Sequence, residues 1–276
     1  MQTPPDITDA DALARNRSRA IRQGAELFLQ DDAADEIKER LGEVNRRFTK
    51  PLIVSGFAEP WQSLWPGARH IADTSLLAAE PGAHDLVIHA FGLHWANDPV
   101  GQLVQCRRAL MPDGLFMAVL FGGRSLSELR AALAEAETRL TGGLSLRVLP
   151  MAEIRDLGGL LQRAGFALPV ADSALKTVTY RTAFHLIADL RAMGEGNALA
   201  ARSRRWPGRA LFPEAARVYA ENFPADGGRI RATFEMIFLT GWAPHESQQQ
   251  PLRPGSAVQR LADALGAGRD ISAKKV

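Results

Sequence analysis

The sequence predicts an α/β protein built on a mainly parallel sheet. Three observations predict it. Short apolar segments alternate with stretches of helical period, which is the pattern of a sheet wound with helices. The segment Leu115–Phe121 (LFMAVLF) is apolar throughout, as an interior strand covered on both faces requires. A last long apolar segment, Arg231–Trp242, closes the series.

In chain order, residues 9–48 read as helix, with Asp9 or Asp11 as N-cap. Ile21, Ala25, Phe28 and Leu29 fit one apolar face; Ile37, Leu41, Val44 and Phe48 fit another. Asp31-Asp32 marks the expected break between two helices, and Arg15, Arg19 and Arg22 share a solvated face. Leu52–Ser55 and Asp85–Phe91 read as buried strands. Pro99–Leu110 has a helical period, with the proline in its first turn. Met111-Pro112-Asp113-Gly114 is a turn in which the proline fixes φ and the glycine tolerates a positive one. Ser125–Leu140 is a helix opened by a Ser125/Glu128 capping box. Further helices are expected at Met151–Arg163 (stopped by Gly165), Thr182–Met193 and Ala210–Asn222, with a strand at Leu175–Tyr180. The tail from Pro244 is expected to be mobile, apart from a short helix at Ala257–Leu265. Three parts result: a helical segment at 1–50, a core domain at 51–243 with a helical insertion at about 125–225, and the tail at 244–276.

The 276 residues are 46% apolar and 23% charged, ordinary for a globular chain, which excludes wholesale disorder and fibrous folds. No apolar run reaches the roughly 18 residues of a membrane helix, and the N-terminus lacks the apolar core of a signal peptide. The single cysteine, Cys106, excludes an internal disulfide and a cysteine zinc cluster, and it reads as a small core residue. A cytosolic protein is the expectation. Net charge is only +2, although 28 of the 33 basic residues are arginine. Arg202, Arg204, Arg205 and Arg209 cluster around Trp206-Pro207 and read as a solvated loop, so no nucleic-acid partner is expected. The histidines are not at metal-binding spacing, and no metal is expected.

The string Asp85-Leu86-Val87-Ile88, then Gly92-Leu93-His94-Trp95-Ala96-Asn97-Asp98, then Arg107-Arg108-Ala109-Leu110-Met111-Pro112-Asp113-Gly114-Leu115 resembles class I S-adenosylmethionine-dependent methyltransferases. Phe121-Gly122-Gly123-Arg124-Ser125, Arg155-Asp156-Leu157-Gly158, Met193-Gly194-Glu195-Gly196-Asn197 and Ala232-Thr233-Phe234 through His245-Glu246-Ser247 narrow the match. They resemble the methyltransferase-like assembly factors of respiratory complex I and their bacterial relatives, akin to the biotin-pathway carboxyl methyltransferases. The resemblance runs from about residue 10 to about 260. It implies a Rossmann-like sheet with one antiparallel closing strand, S-adenosylmethionine as the cofactor, and a protein partner or protein substrate.

The cofactor motif is degenerate. The family's first strand ends in an acid and a D-x-G-x-G-x-G loop; here Gly56 remains, while Val54, Ala58 and Pro60 stand in place of the acid and two glycines. Between Ser55 and Asp85 lie only 29 residues. Three crossovers and two strands would need roughly 46. One strand–helix unit is therefore expected to be missing, with Arg69–Ala72 the surviving strand and Asp73 an acid near the adenine.

The resemblance implies Gly56, Asp73, Thr74, Phe91 and Gly92 as cofactor-binding residues. His94 and Trp95 follow the carboxyl end of a central strand, where open α/β sheets bind ligands; with Arg124, which could hold a substrate anion, they are the catalytic candidates. Asn97 and Asp98 read as a helix cap. The leading expectation is an assembly or maturation factor with little or no S-adenosylmethionine affinity. The alternative is an active methyltransferase acting on a carboxylate or protein side chain.

Overall fold

A computed structural model describes residues 6–249. The chain divides into two units at Pro244/His245, and every feature below lies in the first. The expected tail helix at 257–265 falls outside the described residues.

Two helices open the chain: α1 (Ala10–Gln23) and α2 (Phe28–Glu43). Asp9 caps α1, its carboxylate accepting from Ala12 N at 2.9 Å. The break falls at Gly24, not at Asp31-Asp32. Gly24 ends α1 with φ +83°, a conformation that side chains resist, whereas Asp31 sits in the first turn of α2, where a carboxylate favours the helix dipole, and Asp32 continues the helix. Ile21, expected on a buried face, is exposed. The residues that α1 buries are Ala12, Arg17 and Ala20.

The strands are β1 (Pro51–Ser55), β2 (Arg69–Ile71), β3 (His84–Ala90), β4 (Leu110–Phe121), β5 (Ala167–Tyr180), β6 (Pro224–Ala225) and β7 (Arg229–Trp242). They form one sheet in the order β2-β1-β3-β4-β7-β5, with β6 paired to β7. The first four are parallel; β7 runs antiparallel to both β4 and β5. Between β1 and β3 stand only α3 (Glu59–Leu64) and the three-residue β2, so the interval holds one strand where the full fold has two.

The remaining helices are α4 (Pro99–Ala109), α5 (Ser127–Thr141), α6 (Ile154–Arg163), α7 (Ala183–Ala192) and α8 (Leu211–Asn222). Period-two alternation divides the strands between two cores. Ile53, Leu86, Ile88, Met117 and Val119 pack with α2, α5, α7 and α8 on one face. Leu52, Val54, Val87, Phe116 and Ala118 pack with α4 and α6 on the other. Apolar side chains on both faces explain why β1 and β3 are buried along their whole length. Cys106 lies in the second core, where burial pushes its thiol up.

Local expectations fail where side chains serve the tertiary structure instead. Asp113, not Gly114, takes the positive φ, +60°, in the turn before Leu115. The Ser125/Glu128 capping box does not form. Ser125 Oγ donates to Glu235 O and accepts from Glu235 N, tying the turn to β7, and Glu128 accepts from Thr233 Oγ1 at 2.5 Å.

Candidate functional site

The topology reverses between β1 and β3: from β1 the chain moves outward to β2, then returns past β1 to β3. Ligands of open α/β sheets bind outside the carboxyl ends of the strands at such a reversal. Gly56, which follows β1, and Phe91-Gly92, which follow β3, border this crevice. Gly56 and Gly92, with Asp73, Thr74, Gln102 and the inner side of α1, line about 430 Å³.

Arg17 of α1 reaches into the crevice. Its Nη1 donates to Asp73 Oδ1 at 2.7 Å and Oδ2 at 2.9 Å, and its Nη2 donates to the Phe91 carbonyl at 3.3 Å. Both charged side chains are nearly sequestered, 11% and 6% exposed. The guanidinium lies flat against Gly56, where a Cβ would stand 2.5 Å from Nη1. Gly92 is required by the same packing, since a Cβ there would meet Asp73 Oδ2 at 2.3 Å and His89 Cε1 at 2.7 Å. Phe91 reaches φ +48° to turn its carbonyl into the crevice. Thr74 Oγ1 donates to Leu76 O, while its own carbonyl accepts from Gln102 Nε2. His89 is fully enclosed; burial pushes its pKa down, and its Nε2 pairs with Gln102 Oε1 at 2.9 Å.

A second cavity, about 200 Å³, opens among β7, α5 and α7. Trp95, Phe121, Phe212 and Phe234 wall it, and Glu195 supplies a carboxylate. Trp95 Nε1 donates to Glu195 Oε2 at 2.7 Å. His94 Nε2 lies 3.3 Å from the same oxygen, so that nitrogen carries the proton if it donates. His94 is also packed against Trp95 and Phe121, its side chain 1% exposed. Among the described residues Glu195 Oε1 has no hydrogen-bond partner. At the rim, Arg147 is committed to Glu137 at 2.6 Å, a pairing that holds the Glu137 carboxyl below its ordinary range.

The sequence candidates fall around two neighbouring spaces that share Trp95. Gly56, Asp73, Thr74 and Gly92 converge on the crevice, with Phe91 offering its carbonyl. Trp95 lines both the crevice and the aromatic cavity, and His94 is held behind it by Glu195. Arg124 joins neither. Its side chain is exposed, and its backbone N–H donates to Glu235 Oε2 at 2.9 Å. Gly122 belongs to the same clamp, since a Cβ there would sit 2.5 Å from Glu235 Oε2. Asp98 caps α4, accepting from Gly101 N. Asn97 does otherwise: its Oδ1 accepts from Ile7 N and Thr8 N, pinning the N-terminal segment. Arg17 has no local signature beyond being a long basic side chain on the face opposite the solvated arginines. Glu195 stood in the recognised MGEGN string, and its pairing across about a hundred residues with Trp95 was not legible there.

The chain is 34% identical over 231 residues to "Arginine-hydroxylase NDUFAF5, mitochondrial" of Danio rerio, an alignment covering 82% of this chain and 70% of that protein. The chain belongs to the NDUFAF5 family. The Dictyostelium discoideum member is 40% identical over 66% of this chain, but that match spans only 42% of the longer relative. A "Malonyl-[acyl-carrier protein] O-methyltransferase" of Gallionella capsiferriformans is 31% identical, over 67% of this chain and 62% of that one. Both groups named from the sequence strings are thus represented. Among solved structures, the Bacillus subtilis YcgJ protein superposes with a TM-score of 0.51 at 10% identity, covering 78% of this chain and 99% of its own, a likeness of fold alone. No protein-family model matches the chain. The NDUFAF5 relatives carry the designation mitochondrial, which overturns the cytosolic expectation: the composition that suggested it reports folding class and carries no address. No helix of the described residues is long and apolar enough to cross a membrane, and among them no three metal-ligating side chains gather.

Proposed function

We propose that this chain is an assembly or maturation factor of the NDUFAF5 kind, that it takes an arginine side chain of a protein partner into the aromatic cavity, and that it binds S-adenosylmethionine weakly or not at all. One observation carries the reading: a carboxylate, Glu195, held in an apolar aromatic cavity with one oxygen uncommitted. A carboxylate out of water favours a cation strongly. A guanidinium is the cation that also stacks on ring faces and donates from a planar fork, and here Trp95, Phe121 and Phe234 offer those faces. Trp95 Nε1 and His94 fix the carboxylate, so a guest finds it already oriented. The relatives' designation as arginine hydroxylases supports the same side chain as the guest.

The residues of the crevice do not fit S-adenosylmethionine as they stand. The glycine that would let a cofactor approach is covered by the Arg17 guanidinium, and Asp73 is already paired with it. Val54 and Pro60 supply neither the acid nor the backbone donor of the cofactor loop.

Two titrations test the reading. N-acetylarginine methylamide is expected to bind at least tenfold tighter than its citrulline counterpart, with the preference lost in Glu195→Gln; equal binding of the two overturns the arginine assignment. S-adenosylmethionine and S-adenosylhomocysteine are expected to give no calorimetric heat, and micromolar binding overturns the weak-cofactor assignment in favour of an active methyltransferase.

A further inference from the structure

We infer that α1 is a displaceable lid whose Arg17 serves as a tethered occupant of the crevice between β1 and β3, so that an adenosyl ligand enters only when Arg17 leaves. The inference rests on the weak-cofactor reading above and gives it a cause within the chain.

Several observations converge on it. Arg17 is shaped into the crevice from both sides. Gly56 meets its guanidinium, while Gly194, at φ +76°, meets its stem, where a Cβ would stand 3.1 Å from Arg17 Cγ and 3.2 Å from its Cα. The guanidinium also takes up the polar groups that the crevice offers, the Asp73 carboxylate and the Phe91 carbonyl. An alkyl side chain would leave both unmet, and a bulkier residue at position 56 would collide with the arginine. The fit is incomplete, because the buried Arg17 Nε has no partner among the described residues.

The helix that carries Arg17 is lightly held. Its fully buried apolar side chains are two alanines, Ala12 and Ala20. Leu13 adds a partly buried apolar contact, and the rest of its attachment is polar: Asp9 N to Ala198 O, Asn16 Nδ2 to Gly196 O, and Arg202 to the capping Asp9. At its other end Ile21 is exposed and Gly24 provides a flexible joint to α2. Few buried apolar contacts characterise segments that open without global unfolding. The distal end of α1 can therefore swing while its start stays pinned.

The experiment is a cycle of variants in the full chain. S-adenosylhomocysteine is titrated calorimetrically into the unaltered protein, Arg17→Ala and Arg17→Gln; the glutamine keeps a donor facing Asp73 and guards against misfolding. At least a tenfold gain in affinity in either variant is expected. In parallel, Gly56→Ala is melted in both the unaltered and the Arg17→Ala backgrounds. A drop of several degrees in the first and almost none in the second is expected, because the three atoms nearest the added Cβ all belong to the arginine. Unchanged or weaker affinity in both Arg17 variants, or an equal Gly56→Ala loss in both backgrounds, overturns the lid. Micromolar binding by the unaltered protein overturns the weak-cofactor reading instead, and the Gly56 cycle then judges the lid on its own.

Discussion

The crevice and the aromatic cavity lie at the same end of one sheet and are furnished in opposite ways. In the crevice a carboxylate, Asp73, is already paired with the chain's own arginine. In the cavity a carboxylate, Glu195, is braced by the Trp95 N–H and the His94 ring and keeps an oxygen free. Both hold an anion away from water, but only the first is bound directly to an arginine of the chain. A buried charge costs most when unpaired, so the crevice is self-satisfied and the cavity is the place that gains from a guest.

That contrast breaks most sharply at Asp73. Asp73→Ala strands the Arg17 guanidinium and is expected to cost about 3–5 kcal/mol, read from urea unfolding; a cost below about 1 kcal/mol would mean that α1 already stands open in solution. The cavity is expected to respond less. Trp95→Phe keeps the ring but deletes the donor to Glu195, at a cost of about 1.5–3 kcal/mol for a hydrogen bond to a charged group. Its signature is a weaker arginine response together with the lower stability, and an unaltered response would remove Trp95 from the site. The smallest effect is one of pH. His89, beside the crevice, is held neutral by burial, with its pKa below that of the unfolded chain. Its contribution is complete above the unfolded value of about 6.5 and is lost as pH falls towards the lower folded value. Melting temperatures from pH 8 to pH 5 are expected to fall less in His89→Asn than in the unaltered protein; parallel curves would assign the acid sensitivity elsewhere.

Much of the sheet was legible because its information is local. Apolar runs such as Leu115–Phe121 reveal strands covered on both faces, and Gly165 and Gly194 stop their helices with φ of +81° and +76°. The short interval after Ser55 gave away the missing unit, since chain length limits how many crossovers fit. The sites were legible only in part. Each residue of the crevice list stands next to a strand end, where topology concentrates ligand groups, and the fold brings them to one edge of the sheet. Arg124 also follows a strand end, yet its backbone and not its side chain is engaged, because Glu235 of β7 captures the turn. Arg17 lay outside any motif. What makes it special is the empty space above Gly56, 39 positions away, and a helix period cannot report that.

Gly194 and Glu195 are adjacent in sequence but face different sites. Gly194 packs on the stem of Arg17, and Glu195 lines the aromatic cavity. On the proposed readings, a guest that lifts the arginine would unload the peptide unit next to the cavity's carboxylate, and a guest that grips the carboxylate would stiffen the seat of the arginine. Linkage of this kind is reciprocal. On the proposed readings, whatever factor an adenosyl ligand imposes on the capture of a partner's arginine, that arginine imposes on the ligand in return.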